Sequence, residues 1–439
     1  MIPGMPGGYL ESTDVLPRPE NVNIFIEANS MANLQKLKED LAAWLITDQP
    51  QELIFDDEPD RIYYAVVDGS LDLEELVKFG QGTITFICPD PYKYGTEKMI
   101  KINGASSFKV NGTAETEPTI KVTLKKDTTF VAVSNGDKLN MIGMPFKVEQ
   151  TPVDPETQVF KNTNLTGWTI PAQTQEDSEI TGILKTSGKS FYSDNYGLGA
   201  GWHGPSMKTS FGTTVKDFRF DVGFRMIATG ANQAGGIVVS LLDTQNRVVA
   251  KVQMVKHFGN LYSYYSRLRA GFGQAGIDII PESGPAIFND TFFQGVFRML
   301  RIGNVWTAAI YKMVNGVFQS PYLVNWVDSN KFVTADVAQI QVQLLQRFDF
   351  PVVDQWIDDI YLLRQNNVNA NQVPYVAKVG DVIEFDQKTN IIRRNGEDIT
   401  KEKAFIGEYF PLIPGLNTIV AEPADCIEKV EVRWRDKWR

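Results

Sequence analysis

Apolar positions recur along this chain at two periods. In SMANLQKLKEDLAAWL (30–45), Leu34, Leu37, Leu41, Trp44 and Leu45 fall at helical spacing, with Ser30 placed to cap the first turn. A second short helical stretch is expected over Asp72 to Lys78. Elsewhere the apolar runs are short, β-branched and aromatic, and are broken by Gly, Asn and Asp. That pattern predicts strands joined by tight turns, so the fold class is mainly β.

Two stretches interrupt the pattern. QTPVDPETQ (150–158) holds two close prolines, and RQNNVNANQVP (364–374) holds four asparagines and a proline. Neither can bury much apolar surface, and both suit exposed linkers. The span 156–366 is long enough for one β-sandwich of its own. The strand-rich pieces 106–149 and 373–439 are each short for a separate core. The reading that follows is a sandwich made of 106–149 plus 373–439, interrupted by an inserted domain over 156–366 and preceded by an α+β domain over 1–105.

Composition narrows the function. The 439 residues carry a net charge of −10, which disfavours nucleic-acid binding through clustered Lys and Arg. No apolar stretch is long enough to predict insertion in a membrane, and MIPGMPGGYLES lacks the charged and apolar regions of a secretory signal. Cys88 and Cys426 are the two cysteines, and His203 and His257 the two histidines. A disulfide scaffold, a cysteine-based zinc site and a histidine-rich metal centre are therefore excluded.

IFDDEPDRIYY (54–64) crowds Asp56, Asp57, Glu58 and Asp60 around Pro59. Contiguous carboxylates repel and do not converge on an ion, so the segment reads as a solvated turn. In VDQWIDDIYLL (353–363), strand alternation sends Asp358 and Asp359 to opposite faces. They are candidate ligands for a structural calcium, with a strand-end charge pair as the alternative. No other cofactor is expected. YSDNYGLGAGWHGPS (192–206) sets Trp202 beside His203 in a glycine-rich loop. KHFGNLYSYYSRLRAG (256–271) puts Tyr262 and Tyr264 on one strand face. Aromatic faces of this kind stack on sugars. The candidate carbohydrate-binding residues are Trp202, His203, Tyr262 and Tyr264, with Trp306 and Trp326 behind them; a role in core packing is the alternative for each.

Glycoside hydrolysis needs two carboxylates flanking the scissile bond. The inserted span offers Glu156, Glu176 and Glu179 in its loop-like opening and Glu282 after a proline, and no GxSxG elbow supports acyl chemistry. The chain is not expected to be an enzyme.

The outer segments carry a further signal. LKEDLAAWLITDQPQELIFDDEPDRIYYAVVDGS and FGQGTITFICPDPYKYG, then VGDVIEFDQKTNIIRRNGEDI, FPLIPGLNTI and VEVRWRDKWR, resemble the distal tail protein (Dit) family of long non-contractile-tailed phages of Gram-positive hosts. The resemblance covers about 1–149 and 373–439. It implies a belt domain that closes a hexameric ring at the tail tip, followed by a galectin-like β-sandwich. It also implies contacts with the tail tube protein, the tail-associated lysin and other tip proteins. Some members carry a carbohydrate-binding module inside the sandwich, which is the layout inferred above. The belt is expected to be short at its N-terminus, because family members usually begin with an extra strand-rich segment. VFKNTNLTGWTI, WIDDIYLL, FRFDVGFRM and VFRMLRIGNVWTAAIYKMVNG resemble strands of jelly-roll sandwiches, the first two those of carbohydrate-binding modules. The expected role is a structural hub in the virion tail tip whose insert binds host cell-wall saccharide. The rivals are a tail-tip glycoside hydrolase and an insert without a ligand.

Overall fold

The alternation that marks strands in the sequence also decides which side chains enter the cores. The computed structural model describes residues 15–25, 30–68, 81–102, 105–162, 164–175, 177–259, 261, 264–273, 276–281 and 291–439. The stretch expected to be helical over Asp72 to Lys78 lies outside the described residues, as does Tyr262. The chain divides into two units: Met1–Met144 with Val376–Arg393 and Ile399–Arg439, and Pro145–Tyr375 with Arg394–Asp398.

In the first unit the expected helix spans Met31–Leu45, and the Ser30 hydroxyl accepts from the Asn33 amide at 3.2 Å. Two residues of its apolar stripe are uncovered, Trp44 at 76% and Leu37 at 37% exposure, while Leu41 and Leu45 are half-buried. A four-stranded sheet runs in the order Arg18–Phe25, Gln81–Cys88, Tyr63–Val67, Gln51–Leu53. The acidic stretch is the hairpin turn between its last two strands. Backbone bonds Glu58→Phe55 and Arg61→Glu58 close that turn. The Glu58 carboxylate accepts from the Lys93 ammonium at 2.7 and 2.9 Å and from the Tyr63 hydroxyl at 2.6 Å. The bond from Lys93 and then that from Tyr63 hold its pKa below the ordinary value. The rest of the unit is a β-sandwich. Ile120, Val122 and Leu124 point inward from Thr119–Leu124 while Thr119, Lys121 and Thr123 point out. They pack with Val131, Val133, Phe385, Val430 and Val432 in one core. The central strand Thr119–Leu124 pairs with Val382–Asp386 and Ile427–Trp438, so residues far apart in sequence build one sheet.

The second unit is a larger sandwich of a nine-stranded and an eight-stranded sheet. The strand Phe218–Ile227 lies between Phe292–Ile302 and Asp354–Gln365, antiparallel to both. It sends Phe218, Phe220, Val222, Phe224 and Met226 inward, all fully buried. They meet Ile237, Val239 and Leu241 of Gly235–Leu242 and Ile340, Val342 and Leu344 of Val337–Arg347, from the other sheet. At the base of this unit Thr151–Val153 and Gln372–Pro374 form a short parallel ladder. The mainly β expectation holds throughout.

Candidate functional site

Trp202 and His203 are neighbours in sequence and part ways in the structure. They occupy the short strand Trp202–Gly204, which pairs antiparallel with the end of Val337–Arg347, Trp202 opposite Arg347 and His203 opposite Gln346. Alternation sends them to opposite sides. His203 is 1% exposed, with its Nδ1 3.1 Å from the Gly201 carbonyl oxygen. It is a buried strand residue, out of reach of a ligand, which corrects the expectation of a sugar contact. Gly204 permits this arrangement: its φ is +151°, and a Cβ there would lie 2.1 Å from the Leu344 carbonyl oxygen.

Trp202 is half-buried and belongs to a cluster of rings. His257 stands edge-on to it, with centroids 6.0 Å apart, and edge-on to Tyr265 at 5.1 Å. Phe258 stacks on Phe350 at 4.8 Å, and Phe348 meets Phe350 edge-on at 5.9 Å. Phe258 and Phe348 are 47% and 42% exposed. The Arg347 guanidinium lies among them, 5.7 Å from the Trp202 ring centroid, 5.3 Å from that of Phe258 and 5.5 Å from that of Phe348. Phe348 holds its place with a φ of +50°, a left-handed conformation that a bulky residue adopts at a cost of about 1–3 kcal/mol. Its amide donates to the Gly201 carbonyl at 2.9 Å, tying the ring to the Trp202 loop. Beside the cluster the fully buried Lys256 ammonium donates to the Gln233 and His257 carbonyls at 2.9 and 2.8 Å, and burial pushes its pKa down. The result is a surface of π faces around the Arg347 guanidinium, with apolar faces and polar edges available to a ligand.

Trp306, Trp326 and Tyr264 pack in or against the core. Trp306 is fully buried, its ring 5.8 Å from Phe218. Trp326 pairs across the ladder with Trp306 and packs, partly buried, against the same core. Tyr264 is 4% exposed, and its hydroxyl donates to the Thr291 carbonyl at 3.0 Å. Its neighbour Tyr265 takes part in the ring cluster. The signal was the phase of YYSRLRA: Tyr264, Leu268 and Ala270 share the core face, while Tyr265, Arg267 and Arg269 share the other. His257, Phe258, Phe348 and Phe350 follow strand ends, where alternation gives no guide.

Asp358 and Asp359 also depart from expectation. They do not face opposite ways. The pairing of Phe218–Ile227 with Asp354–Gln365 slips between Val222 and Phe224, so both aspartates stand opposite Gly223 in a bulge and both line one trough. This trough, about 450 Å³, lies over the nine-stranded sheet and is walled also by Tyr311 and Phe318. A Cβ at Gly223 would sit 3.1 Å from the Cβ of Asp358. The Asp358 carboxylate accepts from the Ser190 hydroxyl at 2.6 Å and from Arg225 at 3.2 Å. At one end Arg298 is clasped by Asp221 and Glu397. Among the described residues no group of three or more His, Cys, Asp or Glu side chains is placed to hold a metal ion. Both bonds to Asp358 reach the same oxygen, Oδ1.

Comparison with known proteins gives this geometry its context. Residues 1–88 match the phage tail protein RIFT-related domain, and residues 355–438 match the siphovirus-type tail component, C-terminal domain. Both matched models describe phage tail proteins, and the two ends of this chain are similar to them. The distal tail protein of Bacillus phage SPP1 is 30% identical over 130 residues, which cover 29% of this chain and 51% of that protein. The chain thus spans about half the length of that curated relative. The crystal structure of the SPP1 distal tail protein, described as a paradigm of the hub adsorption apparatus in phages that infect Gram-positive hosts, is 25% identical. It covers 34% of this chain and 62% of its own, with a TM-score of 0.28. The CBM2 module of the evolved distal tail protein of Lactobacillus casei BL23 phage J-1 is 15% identical. It covers 49% of this chain and all of its own, with a TM-score of 0.42.

Proposed function

We propose that this chain is the distal hub of a siphophage tail, and that its inserted sandwich binds saccharide on the host surface without cleaving it. The observation that carries the second half is the exposed ring surface of Trp202, Phe258 and Phe348 around Arg347. A pyranose laid on such faces gains apolar contact while its hydroxyls keep their water or meet the polar edges. The side chains of this surface are aromatic, imidazole and guanidinium, and hydrolysis would require two carboxylates across the bond. Six copies in a ring would join tube, lysin and other tip proteins. The uncovered Leu37 and Trp44 of the helix supply surface for neighbouring copies. Avidity offsets weak single sites: a second engaged copy binds at high effective concentration, worth about 10²–10⁴-fold.

The test fuses the full chain to a fluorescent protein and measures decoration of Gram-positive cells and release of soluble sugar from their walls. Decoration lost on Trp202→Ala, with no sugar released, is the expected result. Labelling unaffected by that change, or release of product, would sink the reading. Light scattering of the chain, alone and with an N-terminal extension, checks the ring: a monomer for both at high concentration would count against it.

A further inference from the structure

The arginines of the inserted unit mostly have acids. Arg219, Arg225, Arg247, Arg267, Arg269 and Arg298 each meet an Asp or Glu within 3.3 Å. Arg347 does not. Its guanidinium makes ring contacts, and among the described residues no carboxylate or carbonyl oxygen accepts from it. Asp349, two residues on, is exposed and pairs with nothing among them. Lys256 beside the cluster likewise meets two neutral carbonyls and no acid. Arg347 is therefore a half-buried cation with no acid partner among the described residues, on a chain whose net charge is −10.

An unpaired guanidinium at a half-buried surface is costly unless something stabilises it. Here the three ring faces do so through cation–π contacts. They also fix its orientation. A guanidinium held by its faces keeps its N–H edge free, and that edge matches the two oxygens of a carboxylate or phosphate. Stacking holds the ring of a sugar but does not choose among substituents; the free edge does.

We propose that the saccharide taken by this surface carries an anionic group, and that Arg347 is the residue that reads it. The inference rests on the sugar-binding reading above and adds the class of ligand. Carboxylate and phosphate share the required chemistry, so both are tested.

The experiment titrates the full chain calorimetrically with matched pairs: methyl glucoside against methyl glucuronide, and glucose against glucose 6-phosphate, with inorganic phosphate alone as a further probe. The anionic member of at least one pair is expected to bind about ten- to a hundredfold more tightly at low salt, the range of a charged hydrogen bond. The difference is expected to shrink as salt rises. Whichever pair shows it identifies the source of the charge. Arg347→Gln is expected to erase the difference, Arg347→Lys to restore part of it, and Trp202→Ala to weaken both members. Unchanged melting of each variant excludes misfolding. Equal binding of neutral and anionic sugars by the wild type overturns this proposal and leaves the sugar-binding reading standing, as does a preference that survives Arg347→Gln. Inorganic phosphate bound as tightly as the phosphosugar overturns it too, since the surface would then take an ion and not a sugar. Absence of binding by every sugar overturns both.

Discussion

Asp221 and Arg298 face each other across the two central strands of the inserted sandwich in a two-point ion pair, Nε to Oδ1 at 2.7 Å and Nη2 to Oδ2 at 3.0 Å. Glu397 grips the same guanidinium at 2.6 and 3.2 Å. Burial works against the charge on Arg298, and the two carboxylates outweigh it, raising its pKa. Removing one partner strands a buried charge. Asp221→Ala is expected to cost about 3 kcal/mol, at the low end for a broken buried pair because Glu397 remains. Adding Arg298→Met alone should not recover that loss, because it strands the Glu397 carboxylate; Arg298→Met with Glu397→Gln should recover most of it. Calorimetric melting of the full chain checks both. A single variant that melts like the wild type would mean that solvent screens the pair.

Trp202 and Trp306 predict opposite phenotypes. Trp306→Ala empties a fully buried site beside Phe218 and should destabilise the inserted unit by about 3–5 kcal/mol. Trp202→Ala removes a half-buried ring and should move the melt far less while abolishing cell labelling. Melting and labelling measured on the same two variants separate core from surface; equal melting losses would contradict the assignment.

Acid should unfold the chain through its paired carboxylates. Burial would raise the pKa of Glu397, but the hydrogen bond and charge of Arg298 outweigh it, so the value is lowered. Asp436 is likewise buried, and Lys98, the Trp434 indole and the Asn111 amide bring its pKa down. A lowered native pKa means that the unfolded chain takes up protons first as pH falls. Stability is therefore full above the ordinary carboxylate values of 4.5 and 3.8 and is lost as pH falls through them toward the native ones. Melting temperature should be flat from pH 8 to about 6 and drop below about 5. Replacing Asp436 by Asn should flatten that drop, and an unchanged slope would assign it to other groups.

Chelation should leave melting unchanged. Asp358 spends its carboxylate on Ser190 and Arg225, so no cation is needed to neutralise it. A fall in melting temperature with EDTA, reversed by calcium, would reveal a cation site.

Pro152, Pro155 and the asparagines before Val373 marked breaks in the apolar pattern because turn chemistry is local. They did not show that Thr151–Val153 and Gln372–Pro374, inside the expected linkers, pair as strands with Pro152 half-buried. The ring surface was only half legible. Trp202 stood out as an aromatic in a glycine-rich loop. Tyr264 carries the inward phase of Leu268 and Ala270, and Tyr265 the outward one. Trp306 shares its inward phase with Ala308 and Ile310, a cue that outranks its size. Arg347, Phe348 and Phe350 were beyond reach, because their meeting with Trp202 depends on the pairing of strands some 140 positions apart, which no window of sequence displays. The aspartate bulge was hidden for the same reason: an extra residue in a strand shows only against its partner.

Thr151–Val153 and Gln372–Pro374 lie side by side as paired strands, so the chain leaves for the inserted sandwich and returns within one inter-strand spacing, about 4.8 Å. Any domain whose own ends meet can be spliced at that point without stretching the frame that receives it. Under the proposed function, recombination could then exchange the part that binds the host while the part that assembles the tail is inherited intact. A change of prey would need one crossover on each side of a two-stranded clip, and no redesign of the machine that carries it.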